Sequence, residues 1–133
     1  MNALLLDTNV VSILFNKNHR KRDSCIRTVA HHELAISFMS RAELLLWPLV
    51  NPWGEPRRAI LLQHLNLYTT LYVDEHTCSI WSEIVASCRR AGRLLQTADA
   101  WVAASARQWR LPLVTADVGG FEAVPELDIL PLS

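Results

Sequence analysis

Apolar residues in this chain fall in short blocks whose period changes repeatedly. Ala3 to Leu6 is an unbroken apolar run, and Asp7, Thr8 and Asn9 come directly after it. A run that short is a buried strand or the front of a helix, and residues that cap helices end it, so the reading is strand then helix. Val10, Val11, Leu14 and Phe15 repeat at helical spacing until the pattern is lost over residues 16–22. A second helix, over about residues 23–31, leads to Leu34-Ala35-Ile36-Ser37, a second buried strand. Ser40 is expected to open a third helix, with Ala42, Leu45, Leu46 and Leu49 along one side.

Asn51-Pro52-Trp53-Gly54 is a turn, since Pro fixes φ and Gly permits the reversal. A helix is expected over about residues 55–66, a short strand at Leu71-Tyr72-Val73, and a helix over residues 75–90 that ends near Gly92. Thr97 is expected to cap a helix in which Ala98, Trp101, Val102, Ser105, Ala106 and Trp109 recur at helical spacing. Leu113-Val114 reads as a strand edge, and residues 127–130 as a last strand closed by Pro131. Strands separated by single or paired helices imply right-handed crossovers and a parallel sheet covered on both faces, an α/β fold.

Composition sets the scale. The chain has 133 residues, half of them apolar, which suffices for one domain over residues 1–133 with its own core. Its apolar runs, such as Leu44 to Val50 with Pro48 inside, fall far short of the roughly 18 residues of a membrane span. The apolar start carries Asp7 rather than a basic leader, so the expectation is a soluble cytoplasmic protein without a signal peptide. Cys25, Cys78 and Cys88 are odd in number and form no CxxC pair, which argues against a disulfide framework and a thiolate zinc site.

A formal net charge of zero hides an uneven distribution. Lys17, Arg20, Lys21, Arg22 and Arg27 form one basic segment, and Arg89, Arg90 and Arg93 form another; beyond Arg110 the chain has Asp117, Glu122, Glu126 and Asp128 and no basic residue. Basic segments can be plain solvated faces, but two of them bracketing acids suit contacts with a phosphate backbone.

Four acids stand where one predicted element gives way to the next: Asp7, Glu43, Asp99 and Asp117. In open parallel sheets the functional crevice lies outside the carboxyl ends of the strands. Asp7 and Asp117 come after strands, while Glu43 and Asp99 fall in first turns of predicted helices, so all four are expected to face that crevice. Each also has a purely structural use. Asp7 can cap the first helix, Ser40-x-x-Glu43 is the capping-box spacing, Asp99 suits a helix dipole, and Asp117 suits a turn.

The ordered set DTN, RAEL, ADAWVAA and TADVGGF, from about Leu4 to Leu130, resembles the PIN domain, and at this length the VapC-type ribonuclease toxins of type II toxin–antitoxin pairs. That resemblance implies a three-layer α/β/α sandwich with a central, mainly parallel sheet. It implies Mg²⁺ or Mn²⁺ held at Asp7, Glu43, Asp99 and Asp117, with Thr8, Asn9 and Thr115 supporting them. It also implies an RNA substrate, a cognate antitoxin, a homodimer, and inhibition of translation and growth. Many relatives carry a further acid directly before the aromatic residue; here Gly120 precedes Phe121, with Glu122 beyond it. One firm metal site is therefore expected, the second being open.

The implied chemistry suits the residue types. Mg²⁺ prefers oxygen ligands and is commonly held by one or two carboxylates plus waters. Bound metal lowers the pKa of water and stabilises phosphoryl charge, so in-line hydrolysis of a phosphodiester needs no covalent nucleophile; in the family it leaves a 5′-phosphate and a 3′-hydroxyl. A catalytically weak PIN-like module that binds RNA or protein is the alternative. A phosphoaspartyl hydrolase of haloacid dehalogenase type fits poorly, since Asn9 stands where it wants a second acid and both lysines, Lys17 and Lys21, lie early. His19, His31, His32, His64 and His76 show no zinc spacing and read as surface or packing residues. Trp81, Trp101 and Trp109 read as core or dimer contacts. Trp53, expected to be exposed, is a candidate for stacking on a base, and Arg93 for meeting RNA phosphate.

Overall fold

The computed structural model describes residues 2–132. Five strands, β1 (Ala3–Leu6), β2 (Glu33–Ser37), β3 (Thr69–Leu71), β4 (Leu113–Thr115) and β5 (Ile129–Pro131), form one sheet in the order β3-β2-β1-β4-β5. Every neighbouring pair is parallel. The helices are α1 (Thr8–Phe15), α2 (Arg22–Val29), α3 (Phe38–Val50), α4 (Glu55–Leu65), α5 (Glu75–Arg90) and α6 (Thr97–Trp109), with a 3-10 turn at Val118–Gly120.

Alternation along the strands sorts the side chains into two cores. Leu4 and Leu6, Ile36 and Val114 pack with residues of α1, α2, α3 and α4. Leu5, Ala35 and Leu113 point the other way, against α5 and α6. A sheet buried on both faces reads as continuous apolar runs, which is why β1 carries four in a row. The result is the expected α/β/α sandwich, its sheet wholly parallel.

Several local expectations shift. Ser37, not Ser40, opens α3: its hydroxyl accepts from Met39 N–H at 3.0 Å. Of the side carrying Ala42, Leu45, Leu46 and Leu49, Leu45 packs against the core while the other three are exposed, and Ser40 and Leu44 are buried. Apolar residues lie nearly all round this helix, so periodicity could not choose its face. The third strand is Thr69–Leu71 rather than 71–73; Tyr68 is buried just before it, and Tyr72 and Val73 are exposed. Thr97 is the first helical residue of α6, the capping position belonging to Gln96 without a side-chain bond. Trp109, expected as a core or dimer contact, is exposed and is therefore not a core residue.

Candidate active site

The strand order places a topological switch between β1 and β4. From β1 the chain moves outward through β2 to β3, then returns to β4 on the other side of β1. The connections leave in opposite directions there and open a crevice at the carboxyl ends of the two strands. Asp7 is the residue directly after β1, and its N–H donates to Val114 O at 3.0 Å. By strand alternation Asp7 continues the face of Leu5 and Thr115 that of Leu113, so both turn toward α6. They meet: Thr115 Oγ1 donates to Asp7 Oδ2 at 3.0 Å, within the buried interior. Asp7 also caps α1, accepting from Thr8 N–H at Oδ1 (2.9 Å), so its structural use and its place in the crevice coexist.

Glu43 reaches the crevice by a different route from the capping box. With the helix opening at Ser37, Glu43 lies in its second turn. Ser40 and Glu43, three residues apart, share one side of α3 and face Thr8 together. Thr8 Oγ1 donates to Glu43 Oε1 at 2.8 Å and shares a hydrogen bond with Ser40 Oγ at 2.8 Å. Ser40, buried, is thus a site residue read from the sequence only as a cap. The Ser-x-x-Glu spacing carried the signal.

Asp99 lies in the first turn of α6, whose N-terminus points at the same edge because α6 runs back toward the start of β4. Ala100, Ala103 and Ala104 of this helix are fully buried. Asp117 lies just past β4; its N–H donates to Thr115 Oγ1 at 2.9 Å, and its Oδ1 accepts from Gly120 N–H at 3.1 Å. One hydroxyl therefore ties the side chain of Asp7 to the backbone of Asp117. Gly120 has a definite role too. A Cβ there would fall 2.5 Å from Asp117 Oδ2, so the missing acid is the absence of a side chain against which the Asp117 carboxylate rests.

The four acids act on one another. Burial first, and then repulsion from Asp7, Glu43 and Asp117, pushes Asp99 from its ordinary 3.8 to about 6. Burial also raises Asp7; its bonds from Thr115 and Thr8 oppose this, while Glu43 and Asp117 add to it. Among the described residues the ion pairs are Arg58 with Glu55 and Arg107 with Glu83 and Glu126, so no cation is paired with any of the four. Glu122 is exposed and is not among the charges acting on Asp7 or Asp99.

Uncompensated carboxylate repulsion and an all-oxygen donor set suit a hard divalent cation, with water filling the remaining positions. The side chains are not drawn into a ready coordination shell: among the described residues no group of three or more His, Cys, Asp or Glu is arranged to hold a metal ion. The acids share a crevice at the range of charge repulsion rather than of common ligation.

The remaining predicted residues divide. Asn9 is exposed beside the crevice, in a cleft with Ser12, His19, Arg20, Lys21 and Ala116. Trp53 is half-buried instead of exposed: it stacks on Phe15 at 5.9 Å, meets Trp47 at 6.0 Å and has the Arg57 guanidinium 3.8 Å from its ring centre. Arg93 lines a cavity of about 200 Å³ with Trp81, Arg89, Leu94 and Thr97 at the α5–α6 turn. Trp81 stacks on Trp101 at 5.1 Å, and His64 packs against Phe15 and Tyr68, so these are packing residues. Cys25 and Cys88 are buried, Cys78 is exposed, and all three are free thiols.

Comparison with known proteins bears on the fold and the family. The chain is 27% identical over 128 residues to Ribonuclease VapC1 of Haemophilus influenzae, covering 92% of each. It is 30% identical over 132 residues to Plasmid stability protein StbB of Pseudomonas syringae pv. tomato, covering 90% of this chain and 91% of that one. Among solved structures, a chain of VapBC2 from Rickettsia felis bound to a promoter DNA fragment superposes with a TM-score of 0.86, at 20% identity and 98% and 99% coverage. The PIN domain model matches residues 4–127, a span running from β1 through the last of the four acids. The chain belongs to the PIN domain family.

Proposed function

We propose that this protein is a Mg²⁺- or Mn²⁺-dependent endoribonuclease, the toxin of a type II toxin–antitoxin pair, acting on cytoplasmic RNA to inhibit translation and growth. The observation that carries the reading is the group of four mutually repelling acids, with no cation paired to them among the described residues, at the β1/β4 switch point. Relatives named as VapC ribonucleases support the RNA substrate. A neighbour described as a member of the VapBC family of toxin–antitoxin systems, from Mycobacterium tuberculosis, supports the pairing.

Asp7, Asp99 and Asp117 would hold the metal, with Glu43 reaching it through water. When bound, the metal lowers the pKa of water and stabilises charge on the phosphoryl oxygens. Asp7, fixed by Thr8 N–H and Thr115, supplies a rigid oxygen facing the crevice. Glu43, held by Thr8, would take the proton of the attacking water. That water's oxygen would join phosphorus as the bond to the 3′-oxygen breaks, the departing 3′-oxygen taking a proton from solvent water, so that a 5′-phosphate and a 3′-hydroxyl result. Thr8, Asn9 and Thr115 position the acids, and Arg93 approaches the substrate. Trp53, engaged with Phe15 and Arg57, would meet a base only by leaving that packing.

Partner surfaces support the antitoxin and a homodimer. Leu46, Leu49 and Val50 of α3 and Ile60 and Leu62 of α4 are large apolar side chains that remain exposed.

The experiment is cleavage of a broad RNA panel with Mg²⁺ or Mn²⁺, comparing wild type with Asp99→Asn. Cleavage by the wild type alone is expected; identical behaviour of the two would sink the nuclease reading. Induction in bacteria without the antitoxin should arrest growth, and Asp7→Ala should relieve the arrest. One observation favours a catalytically weak PIN-like module that binds RNA or protein: the absence, among the described residues, of a formed metal-holding cluster. RNA binding without cleavage would select it.

A further inference from the structure

An acidic crevice repels the backbone it is meant to cut, so cations must line the way in. The β4–β5 side cannot supply them, since the chain beyond Arg110 contains no basic residue. Three cations elsewhere are engaged: Arg22 Nε donates to Leu14 O at 3.1 Å, Arg57 lies over Trp53, and Arg107 pairs with Glu83 and Glu126. Arg20 and Lys21 are exposed and belong to no ion pair among the described residues.

They line clefts that reach residues flanking the acids. One cleft, of about 290 Å³, is lined by Asn9, Ser12, Ile13, His19, Arg20, Lys21 and Ala116. A second, of about 250 Å³, includes Lys21, Ser24, Thr115 and Ala116. They share Lys21 and Ala116, the residue before Asp117, and the second reaches Thr115, which bonds Asp7. The lip is also pre-ordered. Between α1 and α2, His19 N–H donates to Asn16 O, Arg22 N–H to His19 O, and Asn18 N–H to Asn16 Oδ1. Lys21 N–H donates to His19 Nδ1 at 3.0 Å, which leaves Nε2 as the ring's protonated, donating nitrogen in the neutral form.

We propose that this α1–α2 elbow is the phosphate track of the nuclease: Arg20 and Lys21 neutralise backbone phosphates of single-stranded RNA next to the scissile bond, while His19 Nε2, Asn9 and Ser12 donate hydrogen bonds to the same strand. The track rests on the nuclease reading of the acidic crevice. It distinguishes two kinds of basic residue within one segment, because Lys17 and Arg27 are exposed but do not line these clefts.

The test measures binding apart from cleavage. In the Asp99→Asn background with EDTA, fluorescence anisotropy of a labelled, mixed-sequence single-stranded RNA is measured from about 50 to 200 mM salt. Arg20→Ala with Lys21→Ala should weaken binding about tenfold or more and reduce the salt slope by roughly 1.4, about 0.7 per lost phosphate contact. Lys17→Ala with Arg27→Ala removes the same charge and should cost less than about threefold. His19→Asn, which keeps an acceptor for Lys21 N–H but removes the Nε2 donor, should cost about threefold. With active sites intact, Arg20→Ala with Lys21→Ala should raise KM while leaving kcat nearly unchanged. Unchanged RNA affinity in that double variant, or an equal loss in the Lys17 and Arg27 pair, overturns the track. If wild type cuts no RNA but the binding difference persists, the track stands and the nuclease reading alone fails.

Discussion

Replacing Asp99 by Asn should make the metal-free protein more stable while abolishing its activity. A carboxyl raised from 3.8 to about 6 on folding corresponds to roughly 3 kcal/mol. Asp99 is only half-buried, and solvent screening cuts this to about 1–2 kcal/mol. Linkage gives the sign. Below 3.8 the group is protonated in both states and contributes nothing; as pH rises toward 6 the unfolded chain ionises first, and stability falls until the full penalty is present above 6. Asparagine removes the charge at nearly constant shape, so in EDTA near pH 7.5 Asp99→Asn should melt about 3–10 °C above wild type, judged from the size of the domain. Near pH 4.5 only about a third of the gain should remain. Mg²⁺ should raise the wild-type melting temperature near pH 7.5 and close the gap, since a ligand that binds only the folded state stabilises it. Differential scanning fluorimetry at the two pH values, with and without Mg²⁺, checks each statement. A variant no more stable than wild type in EDTA, or equally stabilised at both pH values, would refute the claim that burial and the neighbouring acids together penalise ionised Asp99.

Thr115→Val keeps the shape but deletes the hydroxyl between Asp7 Oδ2 and Asp117 N–H. It should cost about 1.5–3 kcal/mol in urea unfolding and most of the RNA cleavage, and Thr115→Ser should restore both. Gly120→Ala should change stability by less than about 1 kcal/mol, because only the end of the Asp117 side chain must move, yet lower cleavage on the order of tenfold or more by displacing that carboxylate. Unaltered turnover in Gly120→Ala would show that the position of Asp117 is immaterial.

Much of the site was legible because chemistry and boundary coincide in single residues. Asp7 ends an apolar run and caps the helix after it, so one residue marks both the edge of the sheet and the start of α1. Thr115 was identifiable only through family resemblance. Strand alternation then explains why its hydroxyl meets Asp7, but only once β1 and β4 are known to be neighbours. Glu43 shows the opposite case. Its spacing from Ser40 was visible, while its meaning was not, because capping and sharing a helix face produce the same i, i+3 pattern. The α1–α2 elbow was visible as positive charge, without any indication that Arg20 and Lys21 would line a cleft with Asn9 and Ala116 and Arg22 would turn inward to Leu14 O.

The sequence by itself determined the alternation of strand and helix and the identity of the acids, because burial on both sheet faces and helix capping are local demands written in adjacent residues. Tertiary structure alone decided the strand order, which puts the switch point between β1 and β4 and brings residues 108 positions apart into hydrogen-bond contact. It also decided which face of α3 turns inward and where β3 begins, since an all-round apolar helix and an edge strand carry no periodic signal strong enough to choose. Whether the acids form a pocket or four unrelated caps depends on distances across the sheet edge, and local pattern does not encode those distances.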